Sequence, residues 1–396
     1  MRYKTDPRSQ NKLSILGFGC MRFPRTHVGV IDLKKSESLV LRAIELGVNY
    51  FDTAHVYMGS EQALGQILHK NRAREKVFLA TKLPLMKCKA YADFERLFAE
   101  QLERLHTGHI DYYLMHNLST LSGWEELREM GVERWIAEKR QSGEIRQVGF
   151  SFHGAQDQFL SILDAYDWDF CQIQYNYVNI NYQAGRAGLL RAAEKGMPVM
   201  IMEPLLGGKL AKGLPKKALD RFRTADPALS PAAWALRWLW SQPEVSIVLS
   251  GMNGMGQLEE NCGIAEGLSA ETLSPAEERA YEDVAAIFTE TDKVPCTGCH
   301  YCMPCPRGIN IPGCFSAYNL SYSVGLITAF QLYATTTGAF SGKGDSSPSQ
   351  CVRCGLCEQH CPQHISIREA LKDVEKRLEP LPFRLLKSIV VKLRKA

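Results

Sequence analysis

Eight short apolar runs recur between residues 14 and 265, and they limit the fold of this chain more than any other feature. They are Ile15–Met21, Val48–Asp52, Val77–Lys82, Ile110–Met115, Ile145–Ser151, Phe170–Gln174, Pro198–Met202 and Val245–Leu249. Each is rich in Val, Ile, Leu and Phe, as strands buried on both faces must be. Longer segments of helical spacing separate them, such as Leu33–Leu46, Phe94–Leu105 and Trp234–Trp240. Several end in glycine, as in Leu46-Gly47-Val48, where a left-handed cap turns the chain into the next strand. Eight strand–helix units over roughly 250 residues predict an α/β fold, a (β/α)8 TIM barrel. An open doubly wound sheet is the competing architecture. It favours a glycine-rich fingerprint, and Leu16-Gly17-Phe18-Gly19-Cys20 lacks the third glycine and an immediate helix.

A composition of 45% hydrophobic and 23% charged residues suits a soluble chain with a sizeable core and excludes a disordered or fibrous one. The net charge of +4 is small for 396 residues, and no basic-aromatic block points to nucleic acid. The start, Met1-Arg2-Tyr3-Lys4, lacks an apolar export segment, so a cytoplasmic location is expected. Thirteen cysteines, an odd count, argue for reduced thiols over a disulfide framework. The stretch from Gly308 to Gly342 is uncharged but broken by Asn310, Pro312, Asn319 and Gln331. It is expected to be buried helix, not a transmembrane span.

Past residue 290 the strand–helix alternation stops, after a helical stretch near Ala276–Phe288. Two cysteine rows follow: Cys296, Cys299, Cys302 and Cys305, then Cys351, Cys354, Cys357 and Cys361, each row ending in Cys-Pro. Three cysteines at this pitch wrap three corners of a cubane, with a fourth from farther away. Zinc prefers two separated pairs. The rows therefore predict two [4Fe–4S] clusters in a small, mostly helical ferredoxin-like domain. The expected division is 1–290 for the barrel, 291–380 for the cluster domain and 381–396 for a basic amphipathic tail. Cys20, Cys88, Cys171, Cys262 and Cys314 are isolated and expected to be buried small hydrophobes.

On a barrel of this kind the chemistry sits at the C-terminal ends of the strands. Asp52 ends the second run with Tyr57 five residues on, Lys82 ends the third, and His116 follows the fourth; Ser151 and Gln174 end the fifth and sixth. Charged groups at the ends of apolar strands are costly to bury unless paired. An Asp–Lys pair beside a Tyr has a chemical logic: the ammonium favours ionisation of the phenol, which then acts as a general acid. A nearby imidazole can orient a carbonyl oxygen.

Across roughly residues 14–265 the sequence resembles the aldo/keto reductases, in the branch carrying a C-terminal ferredoxin-like domain. The matching segments are Phe51-Asp52-Thr53-Ala54-His55-Val56-Tyr57, Ala80-Thr81-Lys82-Leu83, Leu114-Met115-His116, Val148-Gly149-Phe150-Ser151, Gln172-Ile173-Gln174-Tyr175-Asn176 and Glu260-Asn261. The resemblance implies a barrel binding NAD(H) or NADP(H) without a Rossmann fold. It implies Tyr57 as proton donor, Lys82 and Asp52 as its tuning pair, and His116 as the substrate-orienting residue. It implies Ser151 and Gln174 on the nicotinamide carboxamide, and Gly251, Asn253, Glu260 and Asn261 at the adenosine end. Where the family often stacks an aromatic on the nicotinamide, this chain has Met202. The segment Gly251–Gln257 has no Lys or Arg, so NADH is expected to bind at least as well as NADPH. The second cysteine row resembles the bacterial ferredoxin run, in which the fourth cysteine serves the other cluster. That implies one set of Cys296, Cys299, Cys302 and Cys361, and another of Cys351, Cys354, Cys357 and Cys305. The first row is one residue shorter than that pattern, so the exchange of Cys305 and Cys361 stays open at this point.

The reading that follows is an oxidoreductase moving hydride between NAD(P)H and a small carbonyl or alcohol. The alternative is an electron-transfer or docking subunit whose clusters serve a redox partner protein. Hydride carries two electrons and each cluster takes one, so barrel and clusters are expected to work independently unless FMN mediates, and no motif argues for FMN. The tail from Arg384 has five basic residues and one apolar helical face, which suits peripheral contact with a partner or an anionic membrane.

Overall fold

The structure is a computed structural model that describes residues 1–267, 273–338 and 346–380. The tail 381–396 lies outside the described residues. The chain forms two compact units. The first is Met1–Leu205 with Ala232–Leu273, and the second is Leu206–Pro231 with the described part of Ser274–Ala396.

The first unit is a closed barrel of eight parallel strands: β1 (Leu16–Gly19), β2 (Tyr50–Asp52), β3 (Phe78–Leu83), β4 (Ile110–Met115), β5 (Ile145–Phe152), β6 (Phe170–Gln174), β7 (Val199–Met202) and β8 (Val245–Ser250). Neighbours follow chain order and β8 pairs with β1, through Val248 opposite Leu16. Closure excludes the open sheet. Each strand falls on one of the eight apolar runs, shifted at its ends by a few residues. β1 stops at Gly19 because Cys20–Arg22 winds into a short 3-10 turn.

Alternate side chains fill the barrel. Tyr50, Tyr112, Phe170, Met200 and Ile247 form one buried cluster, and the Tyr112 ring meets Tyr50 and Phe170 at 5.2 and 5.1 Å in edge contacts. A hairpin of Tyr3–Thr5 and Lys12–Ser14 adds Leu13 to this core. Its turn ties in through the Tyr112 hydroxyl, which donates to Asp6 Oδ2 at 2.8 Å. The helix Leu33–Glu45 ends as its sequence suggests, with Gly47 at φ +88°. A Cβ there would also lie 2.7 Å from the Tyr3 hydroxyl, so glycine answers both the turn and the close approach.

In the second unit the helices Lys216–Ala225 and Pro275–Thr291 pack through the rings of Phe222 and Tyr281, 5.7 Å apart, and the Arg221–Asp283 ion pair. Ser274 caps the longer helix in a reciprocal box with Glu277. Beyond it, Ile311–Ser323, Leu326–Thr337 and Ile367–Leu378 enclose a core of Phe315, Tyr333, Leu371 and Val374. The uncharged stretch is thus two helices, broken at Gly325 (φ +128°), and only partly buried: Val324 and Ile327 are 63% and 80% exposed at the bend. The expected buried helix is thus buried on one face only: Phe315, Ala329 and Tyr333 face the core, and Val324 and Ile327 do not. No helix among the described residues is long and apolar enough to cross a membrane.

Candidate active site and two cysteine-lined cavities

Barrel closure sets the residues of interest in sequence around one rim. Asp52 ends β2, Lys82 lies near the end of β3, His116 follows β4, Ser151 lies near the end of β5, and Gln174 and Met202 end β6 and β7. Gly251 follows β8.

Lys82 Nζ donates to Asp52 Oδ1 at 2.6 Å and to the Thr53 carbonyl at 2.7 Å. The second carboxylate oxygen of Asp52 accepts from Gln172 Nε2 at 3.3 Å. Both charges are almost wholly buried. Burial pushes the Lys82 ammonium down and the Asp52 carboxyl up, and each is opposed by the charge of the other. The Lys82 ammonium also lies 5.1 Å from the centre of the Tyr57 ring. His116 meets that ring edge-on at 6.1 Å. Burial, then the nearby Lys82, His153 and His55, push the His116 imidazole well below its ordinary value, so it is neutral at pH 7.

A second buried network holds Lys82 in place. Glu61 Oε1 accepts from Thr81 Oγ1 and Gln101 Nε2, both at 2.7 Å. Gln101 Nε2 also donates to the Lys82 carbonyl at 3.0 Å, and Tyr113 donates to Gln101 Oε1 at 2.7 Å. The helix bearing Glu61 lies so close to its neighbour that a Cβ on Gly65 would sit 2.2 Å from the Arg104 carbonyl. Sequence reasoning missed Glu61 and Gln101, because each is a lone polar residue on a helix. The signal was a buried-face spacing that a carboxylate and an amide interrupt.

Of the residues expected to meet a cofactor, Ser151 Oγ accepts from the Asn117 N–H at 2.8 Å. Gln174 is fully buried, and among the described residues neither atom of its amide has a hydrogen-bond partner. Such a group calls for a polar ligand. Met202 pairs with Gln174 in register. Asn261 is buried and donates to Ser250 Oγ at 3.0 Å, while Gly251, Asn253 and Glu260 are exposed. The stem of Arg22 packs beside Gly251, 3.1 Å from where a Cβ would stand. The Gly251–Gln257 segment alone gave no sign of that cation, which arrives from the 3-10 turn after β1.

The second unit holds two cavities. Cys296, Cys299, Cys302 and Cys361 line one, and Cys305, Cys351, Cys354 and Cys357 line the other, each with about 320–330 Å³ of space partly open to solvent. The fourth cysteines are thus exchanged between the rows. Among the described residues no three His, Cys, Asp or Glu side chains converge on one point, so each set of four surrounds a space. Burial pushes the Cys302 thiol up to about 12 and the Cys357 thiol up to about 11. A charged sulfur at either place needs a cation beside it, and the donor sets fit an iron–sulfur group. The five isolated cysteines are all buried.

With this geometry in view, the chain defines a barrel oxidoreductase joined to a cysteine-rich domain. A model of the aldo/keto reductase family matches residues 15–278, and one of the 4Fe-4S dicluster domain matches residues 295–365. The chain belongs to the aldo/keto reductase family. It is 26% identical to a probable aldo-keto reductase 1 of Glycine max, over 66% of this chain and 84% of that one. It is 30% identical to the methylglyoxal reductase YeaE of Escherichia coli K12, over 59% of this chain and 80% of that one. A solved aldo-keto reductase from Bacillus halodurans superposes with a TM-score of 0.60 at 23% identity, covering 72% of this chain and 96% of its own, a likeness of fold.

The histidines give a pH prediction. Burial lowers His116, His55 and His109 below the ordinary histidine value, which is about 6.5. The unfolded chain then takes up protons first as pH falls, so this stability is complete above about pH 6.5 and is lost below it. The melting temperature is expected to fall between pH 7.5 and 5.5, and to fall less in His116→Gln. An equal fall in that variant would show that His116 takes no part.

Proposed function

We propose that the barrel reduces small carbonyl compounds with NAD(P)H and that Tyr57 is the proton donor. The observation that carries this is the Lys82 ammonium, held 2.6 Å from Asp52 and 5.1 Å from the Tyr57 ring, with neutral His116 edge-on to the same ring. A buried ammonium beside a phenol favours the phenolate and so makes the phenol a better acid. The neutral imidazole has one N–H to give a carbonyl oxygen. Gln174 and Ser151 suit the carboxamide of a nicotinamide, and the free amide of Gln174 has one donor end and one acceptor end for it. Met202, next to Gln174 in register, offers a polarizable thioether at the same rim. Gly251, Asn253, Glu260 and Asn261 would take the adenosine end, with Arg22 beside Gly251. When bound, a nicotinamide supplies the hydride; Tyr57 supplies the proton to the carbonyl oxygen, and Lys82 and Asp52 keep that proton acidic. The likeness to a methylglyoxal reductase supports a small aldehyde or ketone as substrate.

The second unit, in the same proposal, carries two [4Fe–4S] clusters, one on Cys296, Cys299, Cys302 and Cys361 and one on Cys305, Cys351, Cys354 and Cys357. What supports it is the lining of the two cavities and the family match.

Three outcomes follow. Tyr57→Phe should lower kcat/KM for carbonyl reduction by roughly 10²–10⁴-fold, with nucleotide binding retained in a fluorescence titration; unchanged turnover would remove Tyr57 as the acid. Arg22→Gln should weaken NADPH about tenfold, ~1.4 kcal/mol, and equal affinity in the variant would take Arg22 out of the site. Anaerobically purified protein should hold about eight irons per chain, and Cys354→Ala about half as many with the barrel still folded by circular dichroism. Zinc in place of iron would end the cluster assignment.

A further inference from the structure

The two cysteine rows repeat each other well past the sulfurs. Cys305-Pro306-Arg307-Gly308-Ile309-Asn310-Ile311 matches Cys361-Pro362-Gln363-His364-Ile365-Ser366-Ile367, and each leads into a helix. Three residues after the last cysteine the chain is left-handed in both, at Gly308 (φ +71°) and His364 (φ +49°). There the N–H donates to the carbonyl of that cysteine, at 2.8 and 3.1 Å. The residues flanking the middle cysteine are left-handed too: Gly298 and His300 around Cys299, Arg353 and Gly355 around Cys354.

Within this shared frame the two cavities differ in three respects. The first is charge. Arg307, Arg353 and Arg368 stand in the wall of the Cys305/Cys351/Cys354/Cys357 cavity, whereas among the described residues no Lys, Arg, Asp or Glu stands in the wall of the other. Glu358 holds Arg368, and Glu369 is shared between Arg353 and Lys372, so among the described residues the balance around this arginine-walled cavity is positive. Around the Cys296 cavity, Lys209 and Asp292 act on Cys296 but pair with each other at 2.6 Å. The second respect is exposure. Cys354 is the one exposed cysteine of the eight, and Val352 and Leu356 beside it are 59% and 45% exposed. The third is backbone. Arg353, at φ +58°, fills the left-handed position that Gly298 fills in the other row. A Cβ is disfavoured there and glycine is not, and a strained position kept by a charged residue points to a use for the charge.

We infer that the group held by Cys305, Cys351, Cys354 and Cys357 is the more easily reduced of the two. It is also the port at which a negatively charged one-electron carrier exchanges electrons with the protein. The inference rests on the two-cluster reading proposed above. Each reduction adds one negative charge to a cluster, and fixed positive charge nearby stabilises that form. The same guanidiniums draw an anionic carrier to the cysteine that reaches the surface. In the exchange the carrier loses one electron and the cluster gains one; no bond breaks and no proton moves.

The test is an anaerobic redox titration of the full-length, iron-loaded protein followed by EPR, with iron measured on each sample. Two waves are expected. Cys354→Ala should remove the upper wave. Arg353→Gln should lower the upper wave alone, so that at a fixed potential the reduced fraction relative to oxidised falls about tenfold, ~59 mV for one electron, and Arg353→Lys should restore it. Arg307→Gln should act in the same direction and serves if Arg353→Gln does not load iron. Stopped-flow reduction by the sulfur dioxide radical anion of dithionite should slow several-fold in Arg353→Gln and with added salt, and reduction by the methyl viologen radical cation should not. Loss of the lower wave in Cys354→Ala, or no movement of either wave in both arginine variants, would overturn the inference while leaving two clusters in place. A native protein with iron for fewer than two clusters would instead refute the two-cluster reading, and this inference with it.

Discussion

A lysine and an aspartate buried together at 2.6 Å are the constraint around which the barrel rim is arranged. Strand ends that close a barrel are dry, and an unpaired ammonium there would lose its proton or unfold the site. Lys82 and Asp52 answer each other, but the pair alone leaves donors and acceptors unmet. Thr53 takes one ammonium proton and Gln172 serves the second carboxylate oxygen. Removing either charge would strand the other, at a penalty of roughly 3–5 kcal/mol. The same pair sets the ammonium 5.1 Å from the centre of the Tyr57 ring, so the proposed acidity of that phenol would hang on the contact that also holds the rim together.

That contact demands rigid neighbours, and the Glu61, Thr81 and Gln101 network supplies them. It connects β3 to two helices that touch backbone to backbone at Gly65. A carboxylate so deep in the protein needs several donors, and it has Thr81, Gln101 and Arg104. The backbone of Lys82 is held by this network while its side chain is held by Asp52, which fixes the ammonium from both ends. The consequence for function is positional: the ammonium stays near one face of the Tyr57 ring.

The architecture was legible because its period is short. Strands buried on both faces must be apolar throughout, so eight runs gave eight strands, and glycine at Gly47 marked a real turn. Asp52, Lys82 and His116 were legible as polar residues at the ends of such runs. Arg22, Glu61 and Gln101 were not, because their partners lie far along the chain and only closure of the barrel brings them near. Gln174 was singled out from its position, but its unpartnered amide could be found only in three dimensions. In the cysteine domain the exchange of Cys305 and Cys361 is a matter of which sulfurs share a cavity, and spacing alone left it open. The repeated Cys-Pro-x-x-Ile-x-Ile was present in the sequence, and its meaning depended on backbone angles.

The two halves of the cysteine domain show how one backbone frame supports unlike electrostatics. Left-handed residues flank the middle cysteine in each row, and in each row that cysteine lines the cavity. The choice of residue differs. Glycine before Cys299 and after Cys354 takes the position at little strain, whereas His300 and Arg353 take it with side chains attached. Those side chains reach the wall of the cavity beside them: an imidazole in one, a guanidinium in the other. The left-handed positions are shared between the halves although the spacing before the last cysteine is not, and the charge that distinguishes the two cavities comes from the side chains set at those positions and on the helix that follows. A duplicated frame can therefore set two groups of four cysteines in unlike electrostatic surroundings.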